Sequence, residues 1–246
     1  LINAGENIIH NCPDLKDVDS AVNILRHLGC EVKREDKAII VDSSNIKRYD
    51  IPDHLMREMR SSVIFLGPVL ARCGKSSMSF PGGCELGPRP IDLHIDALKR
   101  LGATVTENHG LIEFAARNGL IGNEIYLSFA SVGATENIIL AAATAEGKTV
   151  IHNAAKEPEI IDLQNFLNSA GAKITGAGTD TVYIKGVKKL SGTDYSVMPD
   201  RIVTATYLIA GAATGSELTV TDVCTEDLMS VISVLSRCGF KFEFGY

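Results

Sequence analysis

The sequence predicts an α/β fold (α+β in its local pattern) built from a repeated supersecondary unit. Two observations carry this. A helix–glycine–strand signature occurs four times, at Leu25–Val32, Leu98–Val105, Leu167–Ile174 and Leu235–Phe242. Its glycines, Gly29, Gly102, Gly171 and Gly239, return roughly every 70 residues, the mark of repeated units sharing a core. Two further stretches, Glu136–Ala145 and Thr204–Ala213, are apolar almost all round and rich in small residues. Helices of that kind are expected to be buried.

In chain order, Gly5–Asn11 alternates as a strand, and Asp17 and Asp19 open the first surface helix, where carboxylates complement the helix dipole. Glycine closes each signature helix in the left-handed conformation, and an alternating strand follows. Second strands are expected at Ala38–Val41, Leu111–Phe114 and Thr181–Ile184. The apolar helices lead through Glu146-Gly147 and Thr214-Gly215 into strands at Thr149–His152 and Glu217–Val220. A unit is thus a buried helix, a strand, a surface helix and a strand pair. The first unit lacks its opening helix and the fourth its closing strand, so the sequence is expected to be cut at both ends.

The 246 residues suffice for one large or two smaller domains; 45% are hydrophobic and 22% charged, the proportions of an ordinary globular protein. A net charge of −6 with no basic run argues against general nucleic-acid binding while permitting local anion sites. No apolar stretch has the length of a membrane span, and no signal-peptide pattern opens the chain. The six cysteines form no CxxC pair and no zinc spacing. Five of them are expected to be free thiols, wholly or partly buried, which suits a reducing, cytoplasmic location.

The sixth stands apart. Ser79-Phe80-Pro81-Gly82-Gly83-Cys84-Glu85-Leu86-Gly87-Pro88-Arg89-Pro90 sets Cys84 in a Gly- and Pro-rich frame, with Arg89 five residues on. Gly and Pro together impose an unusual backbone path. A packing cysteine needs no such frame, whereas a reacting sulfur needs a defined geometry. Arg89 is suited to clamp an anion, and its charge favours the thiolate. These residues imply a thiol working beside an anionic substrate. Other motifs carry less. Gly74-Lys75-Ser76-Ser77 has the wrong spacing from Gly67 for a phosphate-binding loop. His94 and Asp96, two apart on a helix, face different ways and make a poor metal pair.

The chain resembles the enolpyruvyl transferases along essentially its whole length. The resemblance rests on Asp14–Asp19, Met59-Arg60-Ser61-Ser62, Pro81–Pro90, Ser131–Thr135, Glu157-Pro158-Glu159-Ile160 and Pro199-Asp200-Arg201-Ile202. It implies an inside-out α/β barrel: two domains, each of three βαβαββ-type units with helices buried at the centre. Residues 1–198 would then be most of one domain, and residues 199–246 the start of the other. Pro-Gly-Gly-Cys points to the branch that moves the enolpyruvyl group of phosphoenolpyruvate to the 3-hydroxyl of UDP-N-acetylglucosamine, releasing phosphate. Members acting on shikimate 3-phosphate share the fold and lack this cysteine loop. No cofactor or metal is implied, and the oligomeric state is not specified.

By the same resemblance Cys84 donates a proton to phosphoenolpyruvate and can form an adduct with it. A thiol with an ordinary pKa near 8.5 is mostly protonated at neutral pH, as a donor must be. Arg89 and Arg60 are implied to contact the anionic substrates, with surface salt-bridging as the plainer role for each. Arg89-Pro90-Ile91-Asp92-Leu93 matches the stretch that holds the uridine part. Ser131-Val132-Gly133 opens a predicted helix whose free N–H groups suit a diphosphate, and is equally readable as an ordinary serine cap.

Some family features do not match. A Lys-Asn pair would precede Leu1, and the base for the sugar hydroxyl and a closing arginine would follow Tyr246. Val203 stands where members commonly carry glutamate, and Phe129 where some carry lysine. These residues alone are therefore not expected to turn over. A non-enzymatic UDP-sugar-binding protein stays open as the other reading; a thiol-redox role is weaker, because Cys84 has no evident resolving partner.

Overall fold

The computed structural model describes residues 1–79, 91–108 and 110–245. Contacts divide the chain into two compact units, Leu1–Ser196 and Val197–Tyr246.

The first unit repeats one motif three times. Its opening part holds β1 (Glu6–His10), α1 (Lys16–Leu28), β2 (Glu31–Glu35) and β3 (Ala38–Asp42). The middle part runs β4 (Asp50–Ile51), α2 (Asp53–Glu58), a 3₁₀ turn (Arg60–Phe65), α3 (Leu66–Cys73), β5 (Lys75–Ser79), α4 (Asp92–Arg100), β6 (Thr104–Asn108) and β7 (Leu111–Ala115). The last part runs β8 (Glu124–Tyr126), α5 (Val132–Ala142), β9 (Lys148–His152), α6 (Pro158–Ser169), β10 (Ile174–Thr175) and β11 (Thr181–Lys185). β12 (Asp194–Ser196) follows and returns to the first sheet.

Three four-stranded sheets result, ordered β12-β1-β3-β2, β4-β5-β7-β6 and β8-β9-β11-β10. In each, a short strand lies parallel to a longer one, which pairs antiparallel with the outer hairpin. The strands alternate as half-buried strands should: Ile112 and Phe114 of β7 are buried while Leu111 and Glu113 are exposed. The repeat and its second strands are therefore as the sequence predicts, while the short parallel strands β4, β8 and β12 are new.

The signature glycines all adopt positive φ: 107° at Gly29, 95° at Gly102, 101° at Gly171 and 99° at Gly239. Gly29 is doubly constrained, because a Cβ there would also come within 2.8 Å of the Asn45 carbonyl oxygen.

α5 is buried on every side, with Ala134, Thr135, Asn137, Ile138, Ile139, Ala141 and Ala142 all inaccessible. It packs against α3, α4, α6 and the 3₁₀ turn. Sheets two and three each have such a buried helix feeding their central strand. Beside the central strand of sheet one lies an apolar cavity of about 210 Å³, bordered by Leu1, Ile9, Leu25, Phe65, Leu140 and Phe166.

The second unit departs from expectation. It contains α7 (Arg201–Thr214), a 3₁₀ turn (Glu226–Leu228) and α8 (Met229–Arg237). α7 is as apolar as predicted, yet only Thr204 is buried; Ile202, Val203, Tyr207 and Ile209 are exposed. Residues 217–220 and 240–242 form no strand. The two failures share a cause. A strand satisfies its backbone groups only through a neighbouring strand, and no described residue of this unit supplies one. Without a sheet, no described residue of this unit covers the outer faces of α7.

Candidate functional site

Three of the sequence-predicted residues, Cys84, Arg89 and Pro90, lie outside the described residues. The others sit at the beginnings of helical segments. Arg60 is exposed and opens the 3₁₀ turn that follows β4 and α2. Ile91 is buried and caps α4; Asp92 is the exposed first residue of that helix, and Leu93 is half-buried behind it. Ser131 caps α5, its hydroxyl accepting the Ala134 N–H at 3.4 Å. Val132 and Gly133 form the first turn, and their N–H groups have no acceptor among the described residues.

A buried polar node joins these segments. Asn137, 1% exposed in the otherwise apolar α5, uses its whole amide. Its Oδ1 accepts the Gly67 N–H at 2.6 Å, at the start of α3. Its Nδ2 donates to the Val63 carbonyl in the 3₁₀ turn and to His94 Nδ1 in α4, each at 3.0 Å. One side chain thus ties together the segment opened by Arg60, the segment opened by Ile91–Leu93 and the helix opened by Ser131. An amide has two hydrogens and both point outward here, so His94 must accept at Nδ1 and be the neutral Nε2–H tautomer. Burial lowers the His94 pKa to about 4, which agrees. The sequence contained one signal for this node, an asparagine inside a helix that is apolar on all sides. His94 is buried and Asp96 exposed, so they share no face.

His94 makes acid destabilising. Its folded pKa lies below the unfolded value, so the neutral form's contribution is full above pH 6.5 and is lost as pH falls toward 4. Glu136, also on α5, works in the opposite sense. Burial raises its pKa to about 7, helped by the charges of Glu159 and then Glu157 at the start of α6. Its protonated form is favoured in the fold, so stability falls as pH rises from about 4.5 to 7. Glu136→Gln is expected to stabilise the protein by about 1–2 kcal/mol at pH 8, after discounting for partial exposure, and not at pH 4. Urea unfolding at the two pH values measures this; an equal gain at both would count against a raised Glu136 pKa.

The five described cysteines are free. Burial raises the thiol pKa of Cys12, Cys30 and Cys73, and hydrogen bonding to Asp227 raises that of Cys224, so these four are poor nucleophiles. Cys238 is exposed, contrary to the expectation of burial. No group of three metal-ligating side chains occurs among the described residues, and no described helix is long and apolar enough to cross a membrane.

Three sheets of one strand pattern, two of them with a buried helix feeding the central strand, define the class: the fold is that of the enolpyruvyl transferases. The enolpyruvyl transferase NikO from Streptomyces tendae superposes with a TM-score of 0.80 over 99% of this chain and 59% of its own, at 22% identity. EPSP synthase from Acinetobacter baumannii does so with a TM-score of 0.72 over 96% of this chain and 54% of its own, at 20% identity. The family model for EPSP synthase (3-phosphoshikimate 1-carboxyvinyltransferase) matches residues 1–244, and the chain belongs to that family. Among curated relatives, UDP-N-acetylglucosamine 1-carboxyvinyltransferase 2 of Caldanaerobacter subterraneus subsp. tengcongensis is 54% identical over 245 residues, covering 100% of this chain and 58% of the relative. The UDP-N-acetylglucosamine 1-carboxyvinyltransferase of Finegoldia magna is 47% identical over 233 residues, covering 94% of this chain and 55% of the relative. The chain thus spans a little over half the length of these relatives.

Proposed function

We propose that this chain is part of an enzyme that transfers the enolpyruvyl group of phosphoenolpyruvate to the 3-hydroxyl of UDP-N-acetylglucosamine. The observation that carries the reading is the 54% identity, over the whole chain, to a relative named for that reaction. The intact Pro-Gly-Gly-Cys stretch supports it. The reaction would be the first committed step of peptidoglycan synthesis, in the cytoplasm, and so would serve cell shape and division.

The chemistry assigns the roles. The vinyl CH2 of phosphoenolpyruvate takes a proton from the Cys84 thiol while C2 becomes electron-poor. The sugar 3-oxygen bonds to C2 and gives up its proton to a base. Loss of a proton from the new methyl group and departure of phosphate, with the electrons of its C2–O bond, leave the vinyl ether. Arg89 and Arg60 hold the carboxylate and phosphate charges. Arg89, Pro90, Ile91, Asp92 and Leu93 receive the uridine, and Ser131, Val132 and Gly133 the diphosphate at the start of α5. In this reading residues 1–198 belong to the domain bearing the cysteine loop and residues 199–246 begin the second.

The test is phosphate release by the full-length protein with both substrates. Release that depends on UDP-N-acetylglucosamine is expected; none with it, but release with shikimate 3-phosphate, overturns the substrate assignment. Fosfomycin is expected to add its mass at Cys84, and labelling of a different cysteine would contradict the role given to that thiol. Val203, in place of a common glutamate, favours the second reading, a protein that binds the nucleotide sugar without turnover. Binding with no phosphate release is its signature.

A further inference from the structure

We propose that this protein associates with a second copy of itself through two sheet faces of opposite charge. A row of lysines on the third sheet of one copy docks on a row of carboxylates on the first sheet of the other.

The rows follow from strand register. On the outer face of the third sheet, Lys148 in β9 lies directly opposite Lys185 in β11. Lys173, just before β10, completes the row; its carbonyl accepts the Lys185 N–H at 2.9 Å. On the outer face of the first sheet, Asp42 in β3 lies opposite Glu6 in β1 on one side and Glu31 in β2 on the other. The two rows occupy matching places in the repeated unit: the first residue of the central strand, the last of its antiparallel partner and the start of the outer strand. Neighbouring strands lie about 4.8 Å apart in any sheet, so the rows share one pitch. The corresponding row of the second sheet, Lys75, Ala115 and Thr104, holds a single charge.

Each row is unfavourable in an isolated copy, because like charges directly opposite one another destabilise a sheet. Among the described residues, none of these lysines and carboxylates forms an ion pair. Asp42 accepts hydrogen bonds from the Ser44 N–H and hydroxyl and is half-buried; the others are exposed. The chain carries a net charge of −6, yet no carboxylate lines the groove of about 530 Å³ along the lysine row. Beside each charged row runs an apolar pair. Val150 and Tyr183 adjoin the lysines; Ile8 and Ile40, continued by Lys33, adjoin the carboxylates. The first-sheet face therefore complements the third-sheet face in charge, pitch and apolar centre. Because the two faces differ, the contact is head-to-tail.

Sedimentation of the full-length protein at concentrations up to about 100 µM tests this, at low salt and at roughly 0.5 M salt, where surface charges are strongly screened. The expected result is a mass that rises with concentration at low salt, with an apparent Kd at least about 10-fold weaker at high salt. Lys148→Glu/Lys185→Glu, with two acidic faces, and Glu6→Lys/Glu31→Lys, with two basic faces, are each expected to stay monomeric. Their equimolar mixture is expected to recover the association. A wild type that is monomeric at low salt overturns the proposal. So do reversal variants that associate as the wild type does, and folded variants whose mixture stays monomeric. Should a variant fail to fold, the wild-type salt dependence decides: association unchanged or strengthened by salt overturns the proposal, since paired rows must weaken when screened.

Discussion

Cys84→Ala in the full-length protein is expected to lower phosphate release by about 10²- to 10⁴-fold, the range for losing a positioned proton donor. The reason lies in the substrate. The vinyl carbon of phosphoenolpyruvate is a weak base, and water held at random is a poor donor to it. In the proposed mechanism the Cys84 thiol supplies that proton, which requires it to be protonated and held against the carbon. Alanine removes the proton without adding bulk, so unfolding should be unaltered. Substrate affinity should also change little, because Arg60, Arg89 and the start of α5 are untouched. A variant with full turnover would reject the assigned role, and one with a shifted unfolding midpoint would point to a packing role instead.

Gly67→Ala is expected to destabilise the first unit by roughly 3 kcal/mol, the upper end for forcing atoms into a filled core. For a unit of this size that is on the order of 10 °C in Tm. Gly67 is buried near the start of α3, and its N–H donates to Asn137 Oδ1 in α5 at 2.6 Å. A Cβ at this position would overlap both that Oδ1 and the Asn137 main-chain oxygen. The main-chain atom cannot move aside without displacing α5 itself. If the helices do separate, Asn137 loses its accepted hydrogen bond in a place that water does not reach. Urea unfolding of wild type and variant measures the effect; a loss under 1 kcal/mol would mean that α3 and α5 can slide apart freely.

These two residues show the two kinds of information in the chain. Cys84 was conspicuous in the sequence because its neighbours, Gly82, Gly83, Pro81 and Pro88, are backbone-restricting residues around a reactive atom. Gly67 was visible only as a mismatch to a phosphate-loop pattern, and its reason appears when α3 meets Asn137. The short strands β4, β8 and β12 escaped notice since two or three residues cannot show a period. Their existence depends on a parallel neighbour contributed from elsewhere in the chain. α5 and α7 look alike in sequence, yet α5 lies between α3, α4 and α6, while the outer faces of α7 are exposed. Apolar composition specifies what a helix can bury, and its surroundings settle whether it does.

By itself the sequence determined the unit and its punctuation. Gly29, Gly102, Gly171 and Gly239 had to end helices, because left-handed backbone there strains any residue with a Cβ. It also determined the framed thiol and the strand faces, which follow from local residue order. The tertiary structure decided which segments meet. Only there do Val63, Gly67 and His94 converge on one amide: Asn137 stands out locally in its apolar helix, but local residue order does not show which partners 43 to 74 residues away it will meet. That convergence fixes the His94 tautomer and turns one imidazole edge toward the first turn of α5.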